Sequence, residues 1–273
     1  MSRTTLGRRG QSWASVLIWP LCFLGLLLMI LPGPLFQVSS WHLLAQRFQQ
    51  NFLEQGRYWL LIKGLGNTLL ITLGATLMGI VLGLMMSLFR VLHQANGRFA
   101  FLDALAQAYV TVIRGTPIMV QLLIWYFTIF SSLRHVNGVA LAILAFGVNS
   151  GAYVAEIFRA GIQSIDGGQM EAGRSLGLSY ARSMRRIILP QVLRQSLPVL
   201  INEFIALLKE TSIAGYVAVD ELTRAAQNIQ NLTLESSQPL LMAALIYLLI
   251  VVSLTALVKR IERGFQRSER QAA

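Results

Sequence analysis

The sequence predicts an all-α integral membrane protein of about six transmembrane helices, an N-terminal anchor followed by a five-helix core. Apolar runs of spanning length, roughly 20 residues each, recur along the 273 residues. Lysine and arginine collect in alternate connections between those runs, as expected when one side faces the cytoplasm. Only 13% of the residues are charged and 55% are hydrophobic, against about 25% charged in an ordinary soluble domain. The net charge of +11 would suit nucleic acid, but basic residues dispersed between apolar spans fit membrane topology instead, and no nucleic acid is expected as a partner. The sole cysteine, Cys22, forms no intrachain disulfide and says nothing about redox compartment.

Residues 14–31 form the first apolar span, behind Arg3, Arg8 and Arg9. Its length, Trp19, Pro20 and the absence of a small-x-small cleavage site favour a retained anchor over a signal peptide. Residues 32–57 read as a polar connector whose Trp41, Phe48 and Phe52 suit a membrane interface. The second span, about 65–89, carries Gly79 and Gly83 in a G-x-x-x-G, a weak sign of close helix packing. A basic break follows at Arg90 and Arg98. The apolar region 99–130 is interrupted by "RGTP" at 114–117. Proline lacks a donor and disfavours helix at the residue before it, so a broken helix is expected, with one kinked helix as the alternative. Further spans are expected at about 138–158, 195–219 and 238–258, followed by the basic end "KRIERGFQRSER".

The basic set comprises Arg3, Arg8 and Arg9; Arg90 and Arg98; the arginines of 159–194; and Lys259 with the arginines after it. The alternate connections hold Arg47, Arg57, Arg134 and Arg224. Both termini are therefore expected in the cytoplasm.

The stretch "EAGRSLGLSYARSMRRIILP" at 171–190 breaks the apolar pattern on the cytoplasmic side. Asp166 is a candidate N-cap, with Gln169 three residues later as in a capping box. Gly177 suits a left-handed C-cap. Ser179 suits a second N-cap, and Leu189-Pro190 should end or kink the second helix. Two short helices at a fixed angle follow. They act either as a lipid-binding hairpin or as a rigid plug for a groove on a partner.

These residues resemble the cytoplasmic loop of ABC importer permeases: Glu171-Ala172-Gly173, then Gly177, then Leu189-Pro190. Gly173 departs from the family's alanine. The blocks "GNTLLIT" (66–72), "RGTPIMVQ" (114–121), "NSGAYVAEIFRAGIQSI" (149–165), "LLKETSIAG" (207–215) and "ELTRAAQNI" (221–229) extend the resemblance to the polar amino acid branch, over about residues 60–262. The resemblance implies a type I permease core at 61–262. Residues 1–60 would then be a cytoplasmic N-terminus, extra anchor and periplasmic connector, and 263–273 a basic tail. It implies a coupling helix–turn–helix docking on a cytoplasmic ABC ATPase dimer. It implies a second permease subunit, the same or a homologous chain, and a periplasmic or surface substrate-binding protein. It places the chain in a bacterial inner (plasma) membrane, importing a polar amino acid, with the glutamine type favoured. The chain carries no G-x-x-x-x-G-K-[ST] phosphate loop, so ATP hydrolysis belongs to a separate chain and this subunit is not expected to be an enzyme.

Ionisable groups inside spans are costly and mark pathways. Asn149, Tyr153 and Glu156 share a helix face at i, i+4, i+7, and Glu203 and Glu210 share another, with Lys209 adjacent. Arg114 stands at the "GTP" break, where released backbone groups could line a pathway. An amino acid needs a cation for its carboxylate, from Arg114 or Lys209, and an anion for its ammonium, from Glu203 or Glu210. The plainer readings are a Glu156–Arg159 pair, a snorkelling Arg114 and an internal Lys209–Glu210 ion pair. The three histidines, His42, His93 and His135, show no metal spacing, and neither a metal nor a cofactor is expected. The aromatic run 122–130 suits an interfacial belt. An ion-coupled secondary transporter with a lipid-binding basic loop is the alternative function.

Overall fold

The computed structural model describes residues 40–97, 99–132, 137–235 and 237–272; the expected anchor at 14–31 lies outside them. Within them the chain is helical, without strands. The order is α1 (Ser40–Phe48), α2 (Tyr58–Asn96), α3 (Ala100–Arg114), α4 (Ile118–Ile124), α5 (Gly138–Gln163), α6 (Gly167–Ser175), α7 (Tyr180–Ser183), α8 (Leu189–Glu210), α9 (Leu222–Thr233) and α10 (Gln238–Ala272). α2, α5 and α10 are long and apolar enough to cross a membrane, and the bent pair α3–α4 makes a fourth crossing if it is one span. The expected span over 195–219 corresponds to α8, which is not among them. Arg194, Asn202, Glu203, Lys209 and Glu210 make it too polar for length and composition alone to mark it.

The centre is the pair α2 and α5, which approach through reciprocal small residues. A Cβ on Gly79 would lie 2.7 Å from Ser150 Oγ, and one on Gly83 2.5 Å from Val154 Cγ1. From the other side, a Cβ on Gly147 would lie 2.7 Å from Met78 Sδ, and one on Gly151 2.9 Å from Leu82 Cβ. The G-x-x-x-G is thus met by a second one on α5 within the same chain. Phe146, Ile71, Leu122 and Leu207 fill the core beside this seam. The opposite face of α2 exposes Leu70, Leu73, Leu77 and Val81, as a helix facing lipid should.

Three segments are more ordered than the sequence suggests. α2 does not break at Arg90: it runs 39 residues to Asn96, because no helix breaker precedes Gly97, which ends it at φ +65 with its N–H on His93 O. The described part of the expected connector, from Ser40 to Gly56, is helical and packed. Phe52 is buried against Leu61, Leu222 and Ala226, Asn51 Nδ2 donates to Gln238 Oε1 at 2.8 Å, and Arg47 pairs with Glu235 at 3.4 Å. Leu189-Pro190, expected to end or kink a helix, does not end one. α7 widens into a π turn at Met184–Ile188 and continues as α8, with Pro190 in its first turn. The wide turn sends Leu189 N–H to Met184 O, five residues back. The hydrogen-bond register therefore changes where proline has no donor to offer, so its missing N–H is absorbed.

Candidate functional site

Two clusters collect the candidate residues. The first is the α6 hairpin. Asp166 caps α6 as expected, although its carboxylate accepts from Gly168 N–H at 2.8 Å and not from Gln169. Gly177 is left-handed at φ +81. Its N–H bonds Arg174 O at 3.0 Å while Leu178 N–H bonds Gly173 O at 3.1 Å, the paired bonds of a Schellman motif. Ser179 holds the N-cap position of α7 in extended conformation, but its side chain makes no capping bond. The second helix of the expected hairpin is therefore α7 with the π turn, and it runs on into α8.

Gly173 is buried where α6 crosses α7. A Cβ there would stand 2.7 Å from Ser183 Oγ and 2.9 Å from Ile187 Cδ1. The side of α6 away from this contact exposes Glu171, Ala172 and Arg174. Leu176, 82% exposed, projects at its end. An apolar tip thus stands beside a carboxylate and a guanidinium on a helix held at both ends.

The second cluster is at the "RGTP" break. α3 and α4 meet at 104°, so the helix is broken and not merely kinked. The guanidinium of Arg114, the last residue of α3, lies 5.3 Å from the centre of the Tyr153 ring and its Nη1 is 3.6 Å from Glu156 Oε1. Arg159 holds Glu156 more tightly, through Nε at 2.7 Å and Nη2 at 2.5 Å. Glu156 therefore does pair with Arg159, as the plainer reading had it, and with Arg114 too. Glu203 on α8 is half-buried and lies within electrostatic range of Arg114 and Glu210. Among the described residues no ion pair joins Lys209 to Glu203 or Glu210. Lys209 and Glu210 are both exposed, and adjacent helical residues point about 100° apart.

The structure thus brings Arg114, Tyr153 and Glu156 into contact, with Glu203 within electrostatic range of Arg114 and Lys209 within that of Glu210. Asn149 sits deeper on the same face of α5, buried, and donates to Gln121 Oε1 at 3.0 Å. Gln121 is a residue the sequence reasoning missed. Its Nε2 donates to Ile113 O at 2.8 Å, Thr116 O at 3.1 Å and Thr116 Oγ1 at 2.7 Å, while Thr116 Oγ1 donates to Val112 O at 2.9 Å. The carbonyls of Val112, Ile113 and Thr116 therefore each accept a side-chain hydrogen bond at the break. A glutamine in an apolar run, four residues after a helix-breaking proline, was the available signal.

At the opposite end of α8, Glu221 is fully buried and caps α9, accepting from Thr223 N–H at 2.7 Å and Arg224 N–H at 2.6 Å. Tyr247 Oη donates to it at 3.1 Å. Burial pushes its carboxyl above the ordinary carboxylate range, and these donors oppose the shift.

Residues 75–267 match the family described as "Binding-protein-dependent transport system inner membrane component". The chain is 35% identical over 210 residues to the arginine transport system permease protein ArtQ of Bacillus subtilis, covering 77% of this chain and 94% of that one. It is 36% identical over 195 residues to a Rickettsia typhi protein named as a glutamine transport system permease, covering 71% and 89%. A crystal structure of an amino acid ABC transporter with histidines superposes with a TM-score of 0.72 at 38% identity, over 78% of this chain and 98% of that one. None of these relatives favours the ion-coupled alternative.

Proposed function

The chain belongs to the binding-protein-dependent transport system inner membrane components as an amino acid permease of the ABC type. From that premise we propose that it imports a polar amino acid, of the glutamine type, past Arg114 and Glu203. The observation that carries the proposal is the unequal engagement of the two carboxylates near Arg114. Glu156 already has a two-point bond to Arg159, so it has little left for a substrate ammonium. Among the described residues Glu203 has no ion-pair partner, and an unpaired intramembrane carboxylate is expected to face a cavity or a cation. Arg114, at the open break, takes the substrate carboxylate, with Tyr153 holding its guanidinium plane. The resemblance to glutamine-type permeases in "RGTPI", "NSGAYVAEI" and "ELTR" and the Rickettsia typhi relative support the substrate type.

In this proposal the exposed face of α6, with Glu171, Ala172 and Leu176, docks into a cleft of a separate ATPase subunit. Gly173 seats α6 on α7, Gly177 shapes its end, and Leu189-Pro190 carries the chain onward into α8. Two permease subunits, two ATPase subunits and an external binding protein complete the importer. The N- and C-termini lie in the cytoplasm of a bacterial inner membrane.

The test is uptake by the complete transporter in proteoliposomes, with the binding protein outside and ATP inside. Glu203→Gln should lower glutamine uptake about tenfold or more and leave basal ATP hydrolysis unchanged. Arg114→Gln should raise the substrate concentration needed for half-maximal uptake. Unchanged uptake with unchanged assembly in both variants rejects this pathway. Uptake that survives without the ATPase and collapses with the ion gradient rejects the ABC coupling itself.

A further inference from the structure

Glu156 stands between two arginines. Its Oε1 accepts from Arg159 Nη2 at 2.5 Å and lies 3.6 Å from Arg114 Nη1, while its Oε2 accepts from Arg159 Nε at 2.7 Å. One oxygen is therefore shared unequally. Arg159 has the hydrogen bond, and Arg114, at 3.6 Å, is about 0.7 Å too far for an ordinary one. We propose that Glu156 is a positioning residue that competes with the substrate carboxylate for Arg114, and that its transfer from Arg159 to Arg114 releases the substrate. The inference rests on the reading that Arg114 takes the substrate carboxylate.

Arg114 is open to a ligand. Its side chain is 40% exposed, and among the described residues it meets the Tyr153 ring and Glu156 without donating a hydrogen bond. All five N–H groups of a guanidinium remain for an incoming carboxylate. Arg90, which lines the same cleft as Arg159, is taken by Asp103 at 3.3 Å. A Glu156 carboxylate leaving Arg159 therefore turns to Arg114. While Glu156 stays on Arg159, Arg114 is free to make a two-point bond to the substrate. Once Glu156 moves onto Arg114, two carboxylates meet at one guanidinium, and like charges at that distance repel.

The grip of Arg159 is connected to the α6 hairpin. Arg159 Nη1 donates to Gln163 Oε1, and Gln163 is the last residue of α5. Next to it, Ser164 Oγ donates to Gln195 Oε1 of α8 at 2.7 Å, and Asp166 caps α6 two residues on. A displacement of α6 that turns the end of α5 against α8 thus acts on the guanidinium that holds Glu156. The plainer account is an i, i+3 pair that only steadies α5. The two differ in the sign of their consequences.

The test is equilibrium binding of glutamine to the detergent-purified permease–ATPase complex, without the binding protein, whose own affinity would mask that of the permease. Glu156→Gln should tighten binding up to about fivefold, the effect of removing one part-exposed competing ion pair. Arg159→Gln should weaken it about tenfold, the effect of a charged hydrogen bond now made by Glu156 to Arg114. Glu156→Gln combined with Arg159→Gln should bind as tightly as Glu156→Gln alone, since no carboxylate is left to hold away. In proteoliposomes Glu156→Gln should keep substrate-stimulated ATP hydrolysis and import less glutamine per ATP. Should Arg159→Gln fail to assemble, Arg159→Lys, which keeps the charge and loses the fork, replaces it with a smaller shift of the same sign. Equal or weaker binding in Glu156→Gln, or a loss in the double variant as large as that in Arg159→Gln, overturns the competition in favour of a structural pair. Glutamine binding unchanged by Arg114→Gln rejects the reading of Arg114 itself.

Discussion

Replacing Gly173 by alanine should damage the α6 hairpin, even though alanine is the better helix former and is the residue the resembled loop carries. The added Cβ would meet Ser183 Oγ at 2.7 Å, Ile187 Cδ1 at 2.9 Å and Ser183 Cβ at 3.2 Å. Ile187 can turn its terminal methyl aside. Ser183 cannot yield as easily: it is fully buried in the short α7. Overpacking of this kind costs about 1–3 kcal/mol, and the better helix propensity of alanine returns up to about 1 kcal/mol. The net expectation is a loss of about 1–2 kcal/mol in the hairpin. The contact also predicts its own rescue. Ser183 Oγ has no hydrogen-bond partner, so Ser183→Ala removes both the clash and a buried unsatisfied hydroxyl. Gly173→Ala with Ser183→Ala should therefore recover the loss, leaving a 3.2 Å Cβ approach that a shift of a few tenths of an ångström relieves. The measurements are apparent melting temperature of the purified permease and substrate-stimulated ATP hydrolysis of the complete transporter, across all four combinations. Additive effects, or a Gly173→Ala variant as stable and as well coupled as wild type, would refute the reasoning.

Three further outcomes follow from specific contacts. Gly177 stands at φ +81 with nothing within 4 Å of an added Cβ, so only backbone strain opposes substitution. Gly177→Asn should keep coupled ATP hydrolysis, while Gly177→Val should lose it through a strain of about 1–2 kcal/mol or more, with unchanged membrane insertion. Gln121→Leu strands the donor of Asn149 and the acceptors at Ile113 and Thr116. It should lower stability by about 2 kcal/mol or more, read as melting temperature, and a value within about 0.5 kcal/mol of wild type removes Gln121 as the clamp of the break. Glu221→Gln keeps one acceptor oxygen but sets its amide N–H₂ against Arg224 N–H or, flipped, against Thr223 N–H and the Tyr247 hydroxyl. It should cost about 1–3 kcal/mol, and Glu221→Asp should recover part if the cap geometry is what matters.

Local chemistry made parts of this fold legible in the sequence. Pro117 after Thr116 marked the broken helix, Gly177 its left-handed cap, and Asp166 the start of α6. What the sequence hid depends on contacts between distant segments or on hydrogen-bond register. Gly79 and Gly83 gave a weak motif because its other half, Gly147 and Gly151, lies on another helix. Pro190 looked like a terminator because a one-residue change of register at the π turn leaves no mark in composition. Phe52 looked interfacial because nothing near it in sequence shows that it packs on Leu222 and Ala226. Of the candidate site, the Asn149–Tyr153–Glu156 face was visible from helical spacing. Its meeting with Arg114 was not, since that depends on the angle of the break. Lys209 acts on Glu210 electrostatically without a close ion pair, because adjacent helical residues point about 100° apart.

The two clusters are joined by covalent and packed structure, and this bears on how a push on one would reach the other. α6 is bracketed by the helices that hold the proposed pathway groups. On its N-terminal side only three residues separate Gln163, the end of α5, from the Asp166 cap, so α6 is tied to the helix of Tyr153 and Glu156. On its far side Gly173 presses on Ser183 and Ile187, and from there α7, the π turn and α8 run unbroken to Glu203. Twenty residues at about 1.5 Å each make that arm roughly 30 Å long. A packed contact with no room for a methyl group transmits displacement, because it cannot be compressed. A push on the exposed face of α6 therefore loads the α8 arm against the α5 arm. Arg114 faces both arms, through its 3.6 Å ion pair to Glu156 and its electrostatic reach to Glu203. In the proposed pathway, relative motion of α5 and α8 would shift the balance between those two carboxylates, the change that an alternating site for a zwitterion needs.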